Sequence, residues 1–185
     1  MVAWKERLER LGQVVPFDYP YQRAGKKAPD RPPVLVSSHR AELERVRTEH
    51  NGPIVLIGKS MGGRIGCHVA VELAQAGVPE AERPAALVCL GYPLVAPSGA
   101  VRDQVLVDLQ TPVLFIQGSR DSMCPIERLE AVRSRMQAPH ELYVVEGGDH
   151  SLVLQKMQLA KHGLTQPAVD EKIFEAISAF VTRWA

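Results

Sequence analysis

Four short apolar runs mark the chain: Ile54-Val55-Leu56-Ile57, Ala85 to Leu90, Val113 to Gln117, and Glu141 to Glu146 around Leu142-Tyr143-Val144-Val145. Runs with apolar residues on consecutive positions suit parallel strands buried on both faces. A fifth candidate, Val14 to Tyr19, is β-branched and aromatic, but Pro16 cannot donate to a ladder, so it reads as an edge or irregular strand. Between the strands the apolar spacing changes to the helical one. Trp4, Leu8 and Leu11 make a short opening helix, with Gly12 where a left-handed cap would sit. A proline-rich loop follows, then a surface helix from Ser38 to His50 carrying Ala41, Leu43 and Val46 and ending at Asn51-Gly52. Ile65, Val69, Ala70, Leu73 and Ala74 form a stripe closed by Gly77; Ile126, Leu129 and Val132 form another. Val169, Ile173, Ala176, Ile177, Phe180 and Trp184 form the last. Alternating strands and helices of these lengths predict an α/β fold with a parallel sheet and right-handed crossovers, whose chemistry collects beyond the carboxyl ends of the strands. Neither an internal repeat nor a linker interrupts the pattern, so residues 1–185 are expected to form one domain.

Composition adds mostly exclusions. With 22 basic and 21 acidic residues spread along the chain and a net charge of +1, there is no basic stripe of the kind a nucleic-acid partner requires. Arg23, Lys26, Lys27 and Arg31 lie among prolines and read as a solvated loop. Cys67, Cys89 and Cys124 are odd in number and scattered, which fits reduced thiols rather than a disulfide framework or a zinc site. The first residues lack the apolar stretch of a signal peptide, and no run approaches a membrane span. The expectation is a soluble protein of the cytoplasm or nucleus that needs no metal or cofactor and binds neither nucleic acid nor membrane.

The candidate chemistry begins where the first apolar run meets Gly58-Lys59-Ser60-Met61-Gly62 and a helix starts at once. A serine on a sharp strand-to-helix turn needs small neighbours to clear the strained backbone and expose its hydroxyl. The helix start also aims amides, that of Met61 first, at an oxyanion forming beside Ser60. A phosphate-binding P-loop is the rival reading of Gly-Lys-Ser, but Pro53 holds the first glycine's place and the intervening residues are a buried strand. Serine needs a base to take its proton and a carboxylate to orient that base. Of six histidines, His150 alone follows a predicted strand end, in Gly147-Gly148-Asp149-His150-Ser151. His39, His50, His68, His140 and His162 read as surface or helix residues. Asp121, in Gly118-Ser119-Arg120-Asp121, leaves the preceding strand at the same edge. The catalytic set is therefore Ser60, Asp121 and His150, with the Met61 backbone amide as an oxyanion donor. Asp149 adjoins His150 and reads as a loop-shaping residue; Cys124 lacks a comparable turn and reads as a small buried side chain.

These residues, in the order Ser60, Asp121, His150, resemble the α/β-hydrolase superfamily, and within it hydrolase-like proteins of the testis-expressed and NSL-complex-subunit-three type, particularly the shorter plant members. The blocks that carry the likeness are Phe17-Asp18-Tyr19-Pro20, Gly58 to Gly62, Cys89-Leu90-Gly91-Tyr92-Pro93-Leu94, Gln117 to Asp121 and Gly147 to Ser151. The resemblance implies an α/β-hydrolase fold, a three-layer sandwich with a mostly parallel sheet, here of about five strands and N-terminally truncated. It also implies earlier strands and a loop bearing a second oxyanion donor, a region into which Met1 falls. The implied function is serine hydrolysis of an ester or related small-molecule acyl substrate through an acyl-enzyme. The alternative it allows is a catalytically weak interaction module with a protein partner, since relatives serve as subunits of a chromatin-associated complex. The loop from Gly91 to Leu109 shows no charge pattern that selects an acyl or alcohol group.

Overall fold

The computed structural model describes residues 2–185. Strands β1 (Val55–Lys59), β2 (Ala86–Leu90), β3 (Val113–Gly118) and β4 (His140–Val145) lie in the order β1-β2-β3-β4, each pair parallel. Helices α1 (Val2–Leu8), α2 (Pro20–Arg23) and α3 (Pro32–Glu49) precede β1, and α4 (Met61–Gln75) connects it to β2. Helices α5 (Gln104–Val107), α6 (Ile126–Arg133), α7 (Lys156–Lys161) and α8 (Gln166–Trp184) follow the later strands.

The sheet is the middle of three layers because its side chains alternate between two cores. Ala86, Val88, Leu90, Leu114 and Ile116 pack with Leu8 of α1 and with Ile173, Ile177 and Phe180 of α8. Leu87, Cys89, Val113 and Phe115 point the other way, onto Cys67 and Ala70 of α4, Leu106 of α5, and Leu129 and Val132 of α6. Every residue of β2 and β3 is buried, which is why those runs carry no polar alternation. At about 1.5–3 kcal/mol for each fully buried large aliphatic side chain, this double-sided burial holds the strand ends in place. A third cluster joins α3 to α4 through Leu35, Val36 and Leu43 against Ile65, Val69 and Leu73, with Tyr19 closing its end.

Three expectations need correction. The sheet has four strands among the described residues, not five, because Val14 to Tyr19 pairs with nothing. That segment does sort its side chains as a strand would: Val14 packs against the α8 core and Phe17 and Tyr19 against the α3–α4 core. A ladder, however, needs a neighbour whose groups match its own, and Pro16 brings no N–H. The backbone instead turns into α2, with Gln22 Oε1 accepting the Tyr19 N–H at 2.9 Å. Helix α3 starts at Pro32, well before Ser38, because prolines are suited to the first helical positions, whose N–H groups have no acceptor within the helix. Finally, α1 ends at Leu8 and Gly12 does not take the left-handed conformation, whereas Gly77, with φ +72°, does so behind α4.

Candidate active site

Strand β1 and helix α4 meet at Ser60, whose φ of 51° and ψ of −120° lie in a region that side-chain-bearing residues avoid. Such a conformation costs roughly 1–3 kcal/mol and persists where the surrounding packing over-determines it. The packing here is backbone on backbone. A Cβ placed on Gly58 would lie 2.3 Å from the Gly63 nitrogen and 2.4 Å from the Gly62 carbonyl carbon. One on Gly63 would lie 2.8 Å from the Gly58 oxygen, while one on Gly62 would meet nothing within 4 Å. The close approach that forces the turn is therefore between Gly58 and Gly63; Gly62, expected as the second small neighbour, faces open space. The Ser60 N–H donates to the Leu90 carbonyl at 2.9 Å, tying the turn to the end of β2.

The other two residues arrive on loops leaving β3 and β4. His150 Nε2 lies 2.8 Å from Ser60 Oγ, and His150 Nδ1 lies 2.7 Å from Asp121 Oδ2. The structure thus brings Ser60, His150 and Asp121 into one hydrogen-bonded line. The His150 loop comes close because Gly91, at the end of β2, has no side chain: a Cβ there would sit 2.4 Å from the His150 carbonyl oxygen. Asp149, as expected, shapes the loop, its Oδ1 accepting the N–H groups of Ser151 at 2.7 Å and Val153 at 3.0 Å. Cys124 is fully buried, its thiol pushed up to about 12, first by burial and then by the Asp121 charge. That is a core residue, not a nucleophile.

The Asp121 side chain is wholly buried and that of His150 is 26% exposed, so the line runs from the core to solvent. Burial by itself pushes the Asp121 carboxyl up, but the His150 hydrogen bond, the Met123 N–H and the Gln117 amide outweigh it and leave it below its ordinary value. An ionised carboxylate only accepts, so a neutral His150 ring keeps its proton on Nδ1 beside Asp121 and leaves Nε2 to accept from Ser60. Beside Oγ, the amides of Met61, Gly62 and Gly63 occupy the first turn of α4, where a helix offers its N–H groups no internal acceptor. The arrangement can lower the barrier to proton removal from Ser60 and can stabilise negative charge next to it.

Gln117 belongs to this machinery and was not expected. It is the penultimate residue of β3 and fully buried. Its Nε2 donates to Asp121 Oδ2 at 2.5 Å while its Oε1 accepts the Tyr92 N–H at 3.0 Å. The signal available in the sequence was an amide at the end of an apolar run, since a buried amide must find partners. In Gln117→Leu the Tyr92 N–H loses its acceptor and the Asp121 carboxylate loses a donor, at a cost of about 1–3 kcal/mol near neutral pH. The Asp121 carboxyl sits below 3.8 in the folded chain, so its contribution to stability is full above 3.8 and lost as pH falls through the lower folded value. The part of the stability gap between wild type and Gln117→Leu that comes from this bond is therefore expected to close as pH falls. Urea titrations at about pH 7 and about pH 3 measure it; a gap that stays constant contradicts the link to Asp121.

A serine on a strained strand-to-helix turn, served by an aspartate and a histidine from later loops of one parallel sheet, is how α/β hydrolases are built. Comparison with known families agrees: the model described as an alpha/beta hydrolase domain matches residues 1–182, and the chain belongs to that family. Solved structures of similar fold include an alpha-beta serine hydrolase homologue from Coxiella burnetii, at 21% identity and a TM-score of 0.62, over 96% of this chain and 74% of that one. The thioesterase RedJ of the prodiginine biosynthetic pathway in Streptomyces coelicolor gives 19% identity and a TM-score of 0.66, over 96% and 84%. The type II thioesterase BorB from the borrelidin biosynthetic cluster gives 17% and 0.62, over 94% and 81%. Among the described residues no helix is long and apolar enough to cross a membrane.

Proposed function

We propose that the chain hydrolyses an ester, thioester or related acyl compound through an acyl-enzyme on Ser60. The observation that supports this reading best is the unbroken line from Ser60 Oγ through His150 to Asp121, at 2.8 and 2.7 Å, on a serine held at φ 51°. In this reading Oγ attacks the acyl carbon as His150 Nε2 takes its proton, and Asp121 stabilises the imidazolium that forms. The tetrahedral oxyanion develops beside the Met61 amide at the α4 terminus. Collapse breaks the bond to the alcohol or thiol, which leaves with the proton from His150. Water then attacks the acyl-Ser60 ester, giving its proton to His150, and the acid departs as Ser60 recovers its own. An interaction module would have no use for a strained serine in line with a buried carboxylate, so the catalytic reading is preferred. Within the family, the Gly58 to Gly62, Gln117 to Asp121 and Gly147 to Ser151 blocks support kinship with the testis-expressed and NSL-complex-subunit-three type.

Partitioning tests the acyl-enzyme. Two esters of one acid with different leaving groups, turned over in water containing methanol, are expected to give the same ratio of methyl ester to free acid, because both pass through one intermediate. A ratio that depends on the leaving group, or turnover no faster than in buffer, contradicts the proposal.

A further inference from the structure

Ser60, Arg64 and His68 follow one another at four-residue spacing, a row that runs along α4 from the site, and the Arg64 N–H donates to the Ser60 carbonyl at 3.2 Å. Ser60 is the cap residue, outside the helical conformation, so Arg64 begins one turn beyond it, while Arg64 and His68, both inside α4, are surface neighbours with Cβ atoms about 5–6 Å apart. Arg64 is half-buried, and its Nε is enclosed without a hydrogen-bond partner. Its Nη1 meets a neutral-favoured nitrogen, His68 Nε2, at 3.3 Å. Other arginines with an equally enclosed Nε engage oxygen through the same guanidinium or beside it: Arg7 lies by Glu171, Arg133 binds Glu130, and Arg47 donates to the Gly52 and Arg83 carbonyls. Among the described residues, no carboxylate pairs with Arg64.

Burial first, and then Arg102, pull the Arg64 guanidinium down from its ordinary value, with Tyr92, Cys67 and Tyr19 as the other neighbours that act on it. Arg102 also pairs with no carboxylate among the described residues, and Asp103 beside it is taken by Arg135. His68, the neighbour of Arg64, is driven toward the neutral form by burial and then by Arg64. A half-buried guanidinium with no carboxylate partner among the described residues is costly unless something anionic binds there. Guanidinium groups bind carboxylates and phosphates through paired N–H donors, which makes them selective for oxyanions.

We propose that Arg64, one helical turn beyond Ser60, binds an oxyanion carried by the substrate close to the scissile bond. The inference rests on the reading of Ser60 as the nucleophile and adds the substrate class: acyl compounds bearing a carboxylate or a phosphate, not neutral esters. The oxyanion can belong to the acyl chain, as in the half ester of a dicarboxylic acid, or to the leaving group.

Two matched pairs of esters separate these sources. One is 4-nitrophenyl hemiadipate and its methyl ester, which differ by a carboxylate on the acyl side. The other is 4-carboxyphenyl butyrate and its methyl ester, which differ on the leaving-group side. In one pair the wild-type chain is expected to prefer the anion by about 10–100-fold in kcat/KM. Arg64→Gln brings that ratio to within about threefold of unity, and Arg64→Lys keeps part of it. A wild-type ratio near one in both pairs, or a ratio unchanged in Arg64→Gln, overturns the proposal. Binding is read separately from chemistry by calorimetric titration of monomethyl adipate and of 4-hydroxybenzoate into Ser60→Ala protein. Adding Arg64→Gln is expected to weaken one of the two at least about tenfold, and equal affinities overturn the proposal even if no ester is turned over. Absence of turnover together with an Arg64-dependent affinity would sink the nucleophile reading and leave the anion site standing.

Discussion

Replacing Ser60 by alanine is expected to lower ester turnover by on the order of 10⁴–10⁶-fold, without unfolding the chain. The oxygen removed is the one His150 Nε2 faces at 2.8 Å, so the remaining line from His150 to Asp121 has nothing to deprotonate except water. Alanine has the same Cβ as serine and adds no new clash at φ 51°. Residual acceleration would come from the α4 amides and from binding alone. Because the three residues act as a unit, His150→Ala is expected to cost about as much, and the double variant little more than either. Steady-state kinetics on one ester with all three proteins measures this. A Ser60→Ala protein within about tenfold of wild type would mean that the turnover passes elsewhere.

The second large effect concerns folding. Gly58→Ala is expected to destabilise the chain by about 3 kcal/mol or more, or to prevent its recovery in folded form, although the change adds one methyl group. That methyl would lie 2.3 Å from the Gly63 nitrogen, 2.4 Å from the Gly62 carbonyl carbon and 2.7 Å from the Gly63 Cα. All three are backbone atoms, so relief requires α4 to move away from β1. Gly62→Ala is the control, because a Cβ there meets nothing within 4 Å and alanine favours a helix more than glycine does. Urea unfolding of the two variants should separate them by several kcal/mol. Equal midpoints would show that the glycine approach does not hold the turn.

How far the sequence revealed these features depended on how local their causes are. Strands β2 and β3 were legible because both their faces are covered, and double coverage demands uninterrupted apolar runs such as Ala86 to Leu90, while β1 and β4, at the two ends of the strand order, are mostly half-buried yet still apolar enough to be read. Val14 to Tyr19 has the composition of a strand but no partner among the described residues, and pairing is a property of two segments. Pro32 and Pro33 read as loop residues, yet at a helix start the missing N–H is no loss. For the site, the residue order and the position of each loop beyond a strand end pointed to Ser60, Asp121 and His150, which lie within hydrogen-bond distance along the line. The sequence spacing also pointed to Gly62, whereas the contact that shapes the turn belongs to Gly63, which only the approach of α4 to β1 reveals. Gln117 and Arg64 escaped notice for a similar reason. One looks like the end of a strand and the other like a polar residue on a helix, and their significance lies in what neighbouring loops bring to them.

The central claim is that Ser60 is an activated nucleophile, and covalent labelling tests it most directly. Purified chain treated with a fluorophosphonate and digested with trypsin is expected to carry one adduct, on the peptide from Ser60 to Arg64 that cleavage after Lys59 and Arg64 releases. Labelling should vanish in Ser60→Ala and fall steeply in His150→Ala, because the imidazole that takes the Oγ proton is gone. An unlabelled wild-type protein, an adduct confined to another peptide, or labelling that persists in Ser60→Ala would contradict the account.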